Sequence, residues 1–119
     1  MFARMDMGGG GGDLFELLKN LPSANILTAS SSNSISVTNG KHYLVVCCAC
    51  AASATTTVVS GGTVAWEVPI SGANALYTAT SNSRLGLLKM CLVTATASTL
   101  EVQFGSNTNA RAYVAIQLD

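Results

Sequence analysis

Charge is what this chain has least of. Only 10% of its 119 residues are Asp, Glu, Lys or Arg, against about 25% in ordinary soluble domains. The six basic residues, Arg4, Lys19, Lys41, Arg84, Lys89 and Arg111, never cluster. The basic footprint that a nucleic-acid binder needs to release counterions is therefore missing. No apolar run approaches the ~20 residues of a membrane-spanning helix; the longest, Tyr43 to Ala52, is far shorter. There is one histidine, His42, and the single C-x-x-C spacing, Cys47-Cys48-Ala49-Cys50, lies within an apolar run read as a strand. A catalytic base normally needs a nucleophile or a carboxylate beside it, and His42 has no evident acidic partner along the chain. Glu67 and Glu101 fall at strand positions read as solvent-facing. Gly8 to Gly12 follows no strand and lacks the Gly-Lys-Ser/Thr ending of a phosphate loop. No catalytic residue, cofactor or metal is expected, and neither nucleic acid nor membrane is an expected partner. Arg4 leads into "MDMGGGGGD" rather than an apolar core, so no secretory signal is expected. Synthesis in a cytosol, with reduced thiols, is the expectation.

What is present is apolar. Hydrophobic residues make up 49% of the chain and the formal net charge is zero. Surfaces of this kind tend to associate, so part of this one is expected to be covered by other subunits.

Three regions are expected. Residues 1–12 form an arm in which Met1, Phe2, Met5 and Met7 precede five glycines, a flexible joint. Residues 13–22 form a short helix. Asp13 and Glu16 have the spacing of a capping box, Leu14, Leu17, Leu18 and Leu21 a helical period with Phe15 beside them, and Asn20 and Pro22 end it. A helix of two turns is not stable alone and must pack on its own body or on a neighbour. Residues 23–119 read as β. Strands are expected at 26–29, 35–38, 43–52, 56–59, 63–70, 75–80, 85–97, 99–104 and 111–118. Asn39–Gly40 is expected to close a hairpin between the second and third of these. Along 63–70, Val64, Trp66, Val68 and Ile70 are read as one face, turned inward. Leu100, Val102 and Phe104 are read as inward, as are Ala112, Val114, Ile116 and Leu118. The fold class is all-β: an antiparallel β-sandwich or jelly roll with a short N-terminal helix and a glycine-linked arm.

The stretch "YLVVCCACAASA" holds three of the four cysteines. Side chains alternate along a strand, so Cys48 and Cys50 face one way and Cys47 the other. Zinc needs four ligands, or three and water, and neighbouring residues of an extended strand do not easily form a disulfide. Buried structural thiols are the expectation for Cys47, Cys48, Cys50 and Cys91. Both faces of this strand are apolar, as are both faces of Leu85 to Val93. An antiparallel strand with one wet face should alternate, so one side fills the core and the other needs a cover. Leu14, Phe15, Leu17 and Leu18 of the helix and Tyr43, Val45 and Cys47 of the strand are the candidates for an oligomer or helix-cover interface.

The arm "MFARMDMGGGGG", the segment "NGKHYLVVCCAC", the Ser/Thr/Asn-rich strands and the final strand "ARAYVAIQLD" together resemble small virion proteins of tailed bacteriophages. Head fibres, decoration proteins and minor tail or baseplate components are of this kind. The resemblance implies a non-enzymatic structural protein with a trimeric jelly-roll body. Met1, Phe2, Met5 and Met7 would anchor it to other virion proteins after synthesis in the bacterial cytoplasm. The alternative is a carbohydrate- or receptor-binding jelly-roll module, its glycan held by the loops Ser30–Ser34, Ser71–Asn74 and Gly105–Asn109.

Overall fold

A computed structural model of the chain describes residues 11–30, 34–51, 57–68, 76–81, 84–104 and 108–119. The anchoring candidates Met1, Phe2, Met5 and Met7 lie outside them, as do Ile70, all of 71–74 and parts of the other two loops.

Helix α1 runs from Gly11 to Lys19. The last two glycines of the run are thus its first turn, not part of the joint. Asp13 lies inside that turn, where its charge favours the positive end of the helix dipole. Asn20 closes the helix, its side-chain Nδ2 donating to the Glu16 carbonyl at 2.9 Å. After a 3-10 turn at Ser23–Asn25 every described element is a strand. These strands are β1 (Ile26–Ser30), β2 (Ile35–Ser36), β3 (His42–Ala51), β4 (Val58–Ser60), β5 (Gly62–Val68), β6 (Leu76–Ser81), β7 (Arg84–Ala95), β8 (Thr99–Gln103) and β9 (Thr108–Gln117).

They form two antiparallel sheets packed together. The larger has six strands in the order β1-β9-β3-β7-β5, with β6 also paired to β7; the smaller has the order β2-β8-β4. This is an all-β sandwich with one short helix; the jelly-roll part of the expectation is not established by these sheets. The cysteine-bearing strand β3 lies at the centre, against β7 on one side and β9 on the other.

The core is built from alternate residues. Tyr43, Val45 and Cys47 of β3, Leu87, Cys91, Val93 and Ala95 of β7, and Tyr113 and Ala115 of β9 face the small sheet. That sheet answers with Ile35, Leu100 and Val102, joined by Phe104 just beyond β8. Each large side chain so buried contributes about 1.5–3 kcal/mol. The expected inward set Leu100, Val102 and Phe104 is the observed one.

The structure differs from expectation at one turn and in two strands. Asn39–Gly40 forms a tight turn, with Gly40 at φ 90° and Lys41 N–H donating to the Thr38 carbonyl. It does not close a hairpin: β2 pairs with β8 in the small sheet and β3 with β7 and β9 in the large one. The turn carries the chain from one layer to the other. In β9 the inward side is Tyr113 and Ala115, while Val114 is exposed and Ala112 and Ile116 are half-buried. Tyr113 tolerates the interior because its hydroxyl donates to the Val102 carbonyl at 3.1 Å. In β5, a register shift between Val64 and Trp66 breaks the alternation. Such a bulge reverses the facing of every later residue. Val64 packs on the core, but Trp66 and Val68 are turned outward.

Candidate functional site

The strands of the large sheet have two apolar sides, and the small sheet covers only one. The uncovered side can be followed from strand to strand by register. Ile26, Ile116, Leu44, Leu92 and Trp66 form one continuous row across β1, β9, β3, β7 and β5. The next row is Thr28, Val114, Val46, Met90 and Val68. A third holds Ala112, Cys48 and Leu88 on the three central strands. None of these residues carries a charge, and cross-strand neighbours of this kind support one another. Ile26 is 50% exposed and Trp66 45%. Val68, Val114 and Cys48 are exposed as well, and the residues between them are half-buried. Single exposed apolar residues are ordinary, but a contiguous patch of this extent marks an interaction site.

Helix α1 is a second unpartnered apolar surface. None of its residues is buried; Phe15 is 63% exposed, and Leu14, Leu17 and Leu18 are also exposed. Its own sandwich therefore does not cover it. The other interface candidates are placed differently. Tyr43, Val45 and Cys47 are buried within their own chain and fill the space between the sheets. It is the alternate residues Leu44, Val46 and Cys48 that face outward. The two-sided apolar pattern was legible in sequence; which side was which was not.

The polar groups of the interior are paired. Lys89 lies wholly buried on the core side of β7, and its Nζ meets Glu67 Oε1 of β5. The bulge at Val64/Trp66 is what turns Glu67 inward, against the expectation that it faces solvent. A buried ion pair pays back its desolvation only with good geometry. Arg111 Nη1 donates to the Val102 carbonyl at 3.1 Å, with Glu101 Oε2 4.0 Å away.

All four cysteines are free; Cys47 and Cys91 are buried as expected, but Cys48 is exposed and Cys50 only half-buried, because they stand on the outer side of β3. Burial pushes the Cys47 thiol up to about 12; neighbouring Cys48 adds to this, while Arg111 and a hydrogen bond with Tyr113 oppose it. Cys91 is raised to about 11, again by burial first, with Lys89 opposing. Since the thiolate is the nucleophile and the metal ligand, both are inert thiols at neutral pH. Among the described residues no three His, Cys, Asp or Glu side chains come together as a metal site.

His42 finds a partner that sequence spacing did not show. Its Nδ1 lies 2.6 Å from Asp119 Oδ2, and its backbone N–H donates to Asp119 Oδ1 at 3.0 Å. The contact is made because β9 runs antiparallel to β3, bringing residues 42 and 119 to the same end of the sheet. Burial acts to raise the Asp119 carboxyl, but the His42 hydrogen bonds and the charges of His42 and Lys41 together hold it below the usual carboxylate value. Beside the pair is a hollow of about 270 Å³ lined by His42, Ala65, Leu92, Val93, Thr94 and Leu118. Its walls are mainly apolar, and Leu92 of the first row is one of them. The groups with the chemistry of a site thus serve to tie strands together, and the surface that stands unoccupied is the uncharged sheet face. Compared with protein-family models, with curated proteins and with solved structures, the chain matches none.

Proposed function

We propose that this chain is a non-enzymatic structural protein that assembles with copies of itself through the outer face of its large sheet. The observation that carries the reading is the set of charge-free rows from Ile26 to Trp66 and from Thr28 to Val68. Obligate interfaces resemble a core cut in half, and these rows have a core's composition. The resemblance to small virion proteins of tailed bacteriophages supplies the setting: a virion component, trimeric in body, held to the particle through residues 1–12. Light scattering of the full chain at micromolar concentration tests the assembly step. An oligomer is expected, and a stable monomer would sink the reading. The virion setting is tested separately, by incorporation of a chain lacking residues 1–12 into particles; full incorporation would remove the anchoring role.

One observation favours a second reading, a carbohydrate- or receptor-binding module. Trp66 is turned outward, beside the hollow at Ala65 and Leu92, where an aromatic face could stack on a sugar. Quenching or shift of its fluorescence by a glycan, abolished in Trp66→Ala, would favour this reading over assembly.

A further inference from the structure

Resting on the assembly reading, we infer that helix α1 of one subunit lies on the outer sheet face of another and supplies its cover. Three observations lead there. The helix carries Leu14, Phe15, Leu17 and Leu18 with none of them buried. Among the described residues the sheet face is equally uncharged and has no element packed on it, so each surface has the chemistry the other needs. The link between them is short and stiff. Asn25 Nδ2 donates to the Gln117 carbonyl at 3.0 Å, and Asn25 N–H to the Pro22 carbonyl at 2.9 Å. Pro22 itself is extended, at φ −60° and ψ 144°. Only residues 20–22 remain as a joint, at the edge strand β1. From there the helix runs with none of its residues buried against its own body, and a segment so placed docks readily on a neighbour's.

Area points the same way. Five strands about 4.8 Å apart make rows about 19 Å long, and three rows about 6.8 Å apart span about 14 Å in projection. This is about a third of the ~800 Å² that each partner of a standard interface covers, so two sheet faces alone make a thin contact. A helix laid on the face brings a second apolar surface from every subunit. Nine residues of α1 make about 14 Å of helix, enough to cross the three central strands where Val46, Met90 and Val114 stand.

Cys48 is a built-in reporter, since it is exposed on the central strand of this face while Cys47 and Cys91 are buried. The experiment uses the full chain in a Cys50→Ala background, with three measurements: oligomeric state, alkylation of Cys48, and disulfide formation between Cys48 and Phe15→Cys. The expected result is an oligomer with Cys48 protected. Phe15→Asp with Leu18→Asp should lose the oligomer and expose Cys48 while keeping the strand circular-dichroism signal. Phe15→Cys should give a linked pair of chains on a non-reducing gel. If the charged-helix variant stays oligomeric with Cys48 protected, the face is covered by another surface; the inference falls and the assembly reading stands. A disulfide formed within one chain, or loss of the strand signal in the charged-helix variant, means that the helix belongs to its own body and also overturns the inference. A wild-type monomer with reactive Cys48 fails both.

Discussion

Lys89 and Glu67 sit where a hydrophobic pair could sit, among Cys47, Cys91 and Leu87 on the core side of the large sheet. Removing one member breaks the buried ion pair, at a cost of about 3–5 kcal/mol. Lys89→Met should therefore destabilise by about that amount in urea denaturation, and so should Glu67→Leu. The double variant should recover most of the loss; if the two losses simply add, the residues do not act as a pair. Asp119 makes stability depend on acidity. Its folded value is depressed, so its contribution is complete above the unfolded carboxylate value of about 3.9. That contribution is lost as pH falls from there through the folded value. Asp119→Asn should flatten that part of the stability–pH curve and leave the curve at pH 7 parallel to wild type. The raised thiols predict a reaction order: Cys47 and Cys91 should resist alkylation at pH 8 until the chain is unfolded.

Among elements, the short irregularities carry most of the information. Gly61 is at φ 88°, and a Cβ there would come 2.0 Å from the Thr99 carbonyl oxygen. Both the left-handed backbone and the close approach of β8 require glycine. Gly61→Ala should cost several times the ~1 kcal/mol of an ordinary substitution, read as a drop in melting temperature; a neutral result would mean that the turn is wrongly placed. Strand existence was legible in the sequence because β-branched runs and turn residues alternate clearly. Facing was less so. In the last strand the polar residues Arg111 and Gln117 lie on the same side as the buried Tyr113 and Ala115, so they mark the wrong face, and the single unpaired residue of β5 cannot be seen in an alternating pattern. Sheet membership was equally hidden: Asn39–Gly40 has hairpin chemistry, yet the strands it joins find better partners elsewhere. For the candidate surface, low charge and the double-sided β3 pointed to its existence. The residues that line it could be named only once register fixed them.

At the level of the whole molecule, one side of the sandwich is finished and the other is not. Val46→Lys places a charge at the middle of the uncovered face without touching the core. The expected outcome is a folded chain that no longer assembles, seen as unchanged thermal unfolding of the monomer together with a fall in scattering mass. Phe104→Ala makes the contrasting case. This residue is 0% exposed between the sheets, and its loss should cost about 3–5 kcal/mol whether or not the chain is assembled. If Val46→Lys unfolds the chain as Phe104→Ala does, the outer face belongs to the core of each subunit and not to its neighbours.

The central place of β3 also fixes an order of events during folding. Tyr43 pairs with Gln117, 74 residues further along the chain, so one side of β3 stays open until β9 arrives. A newly made chain must carry its most apolar strand unpaired through the synthesis of most of the domain. Sheets closed by such distant pairing fold in ~ms–s, and an unpaired apolar edge is the place where nascent chains join wrongly. Yield on expression should therefore depend on the outward positions of β3 even where the finished fold does not: a polar residue at Cys48 would slow aggregation of the unfinished chain while weakening the finished assembly.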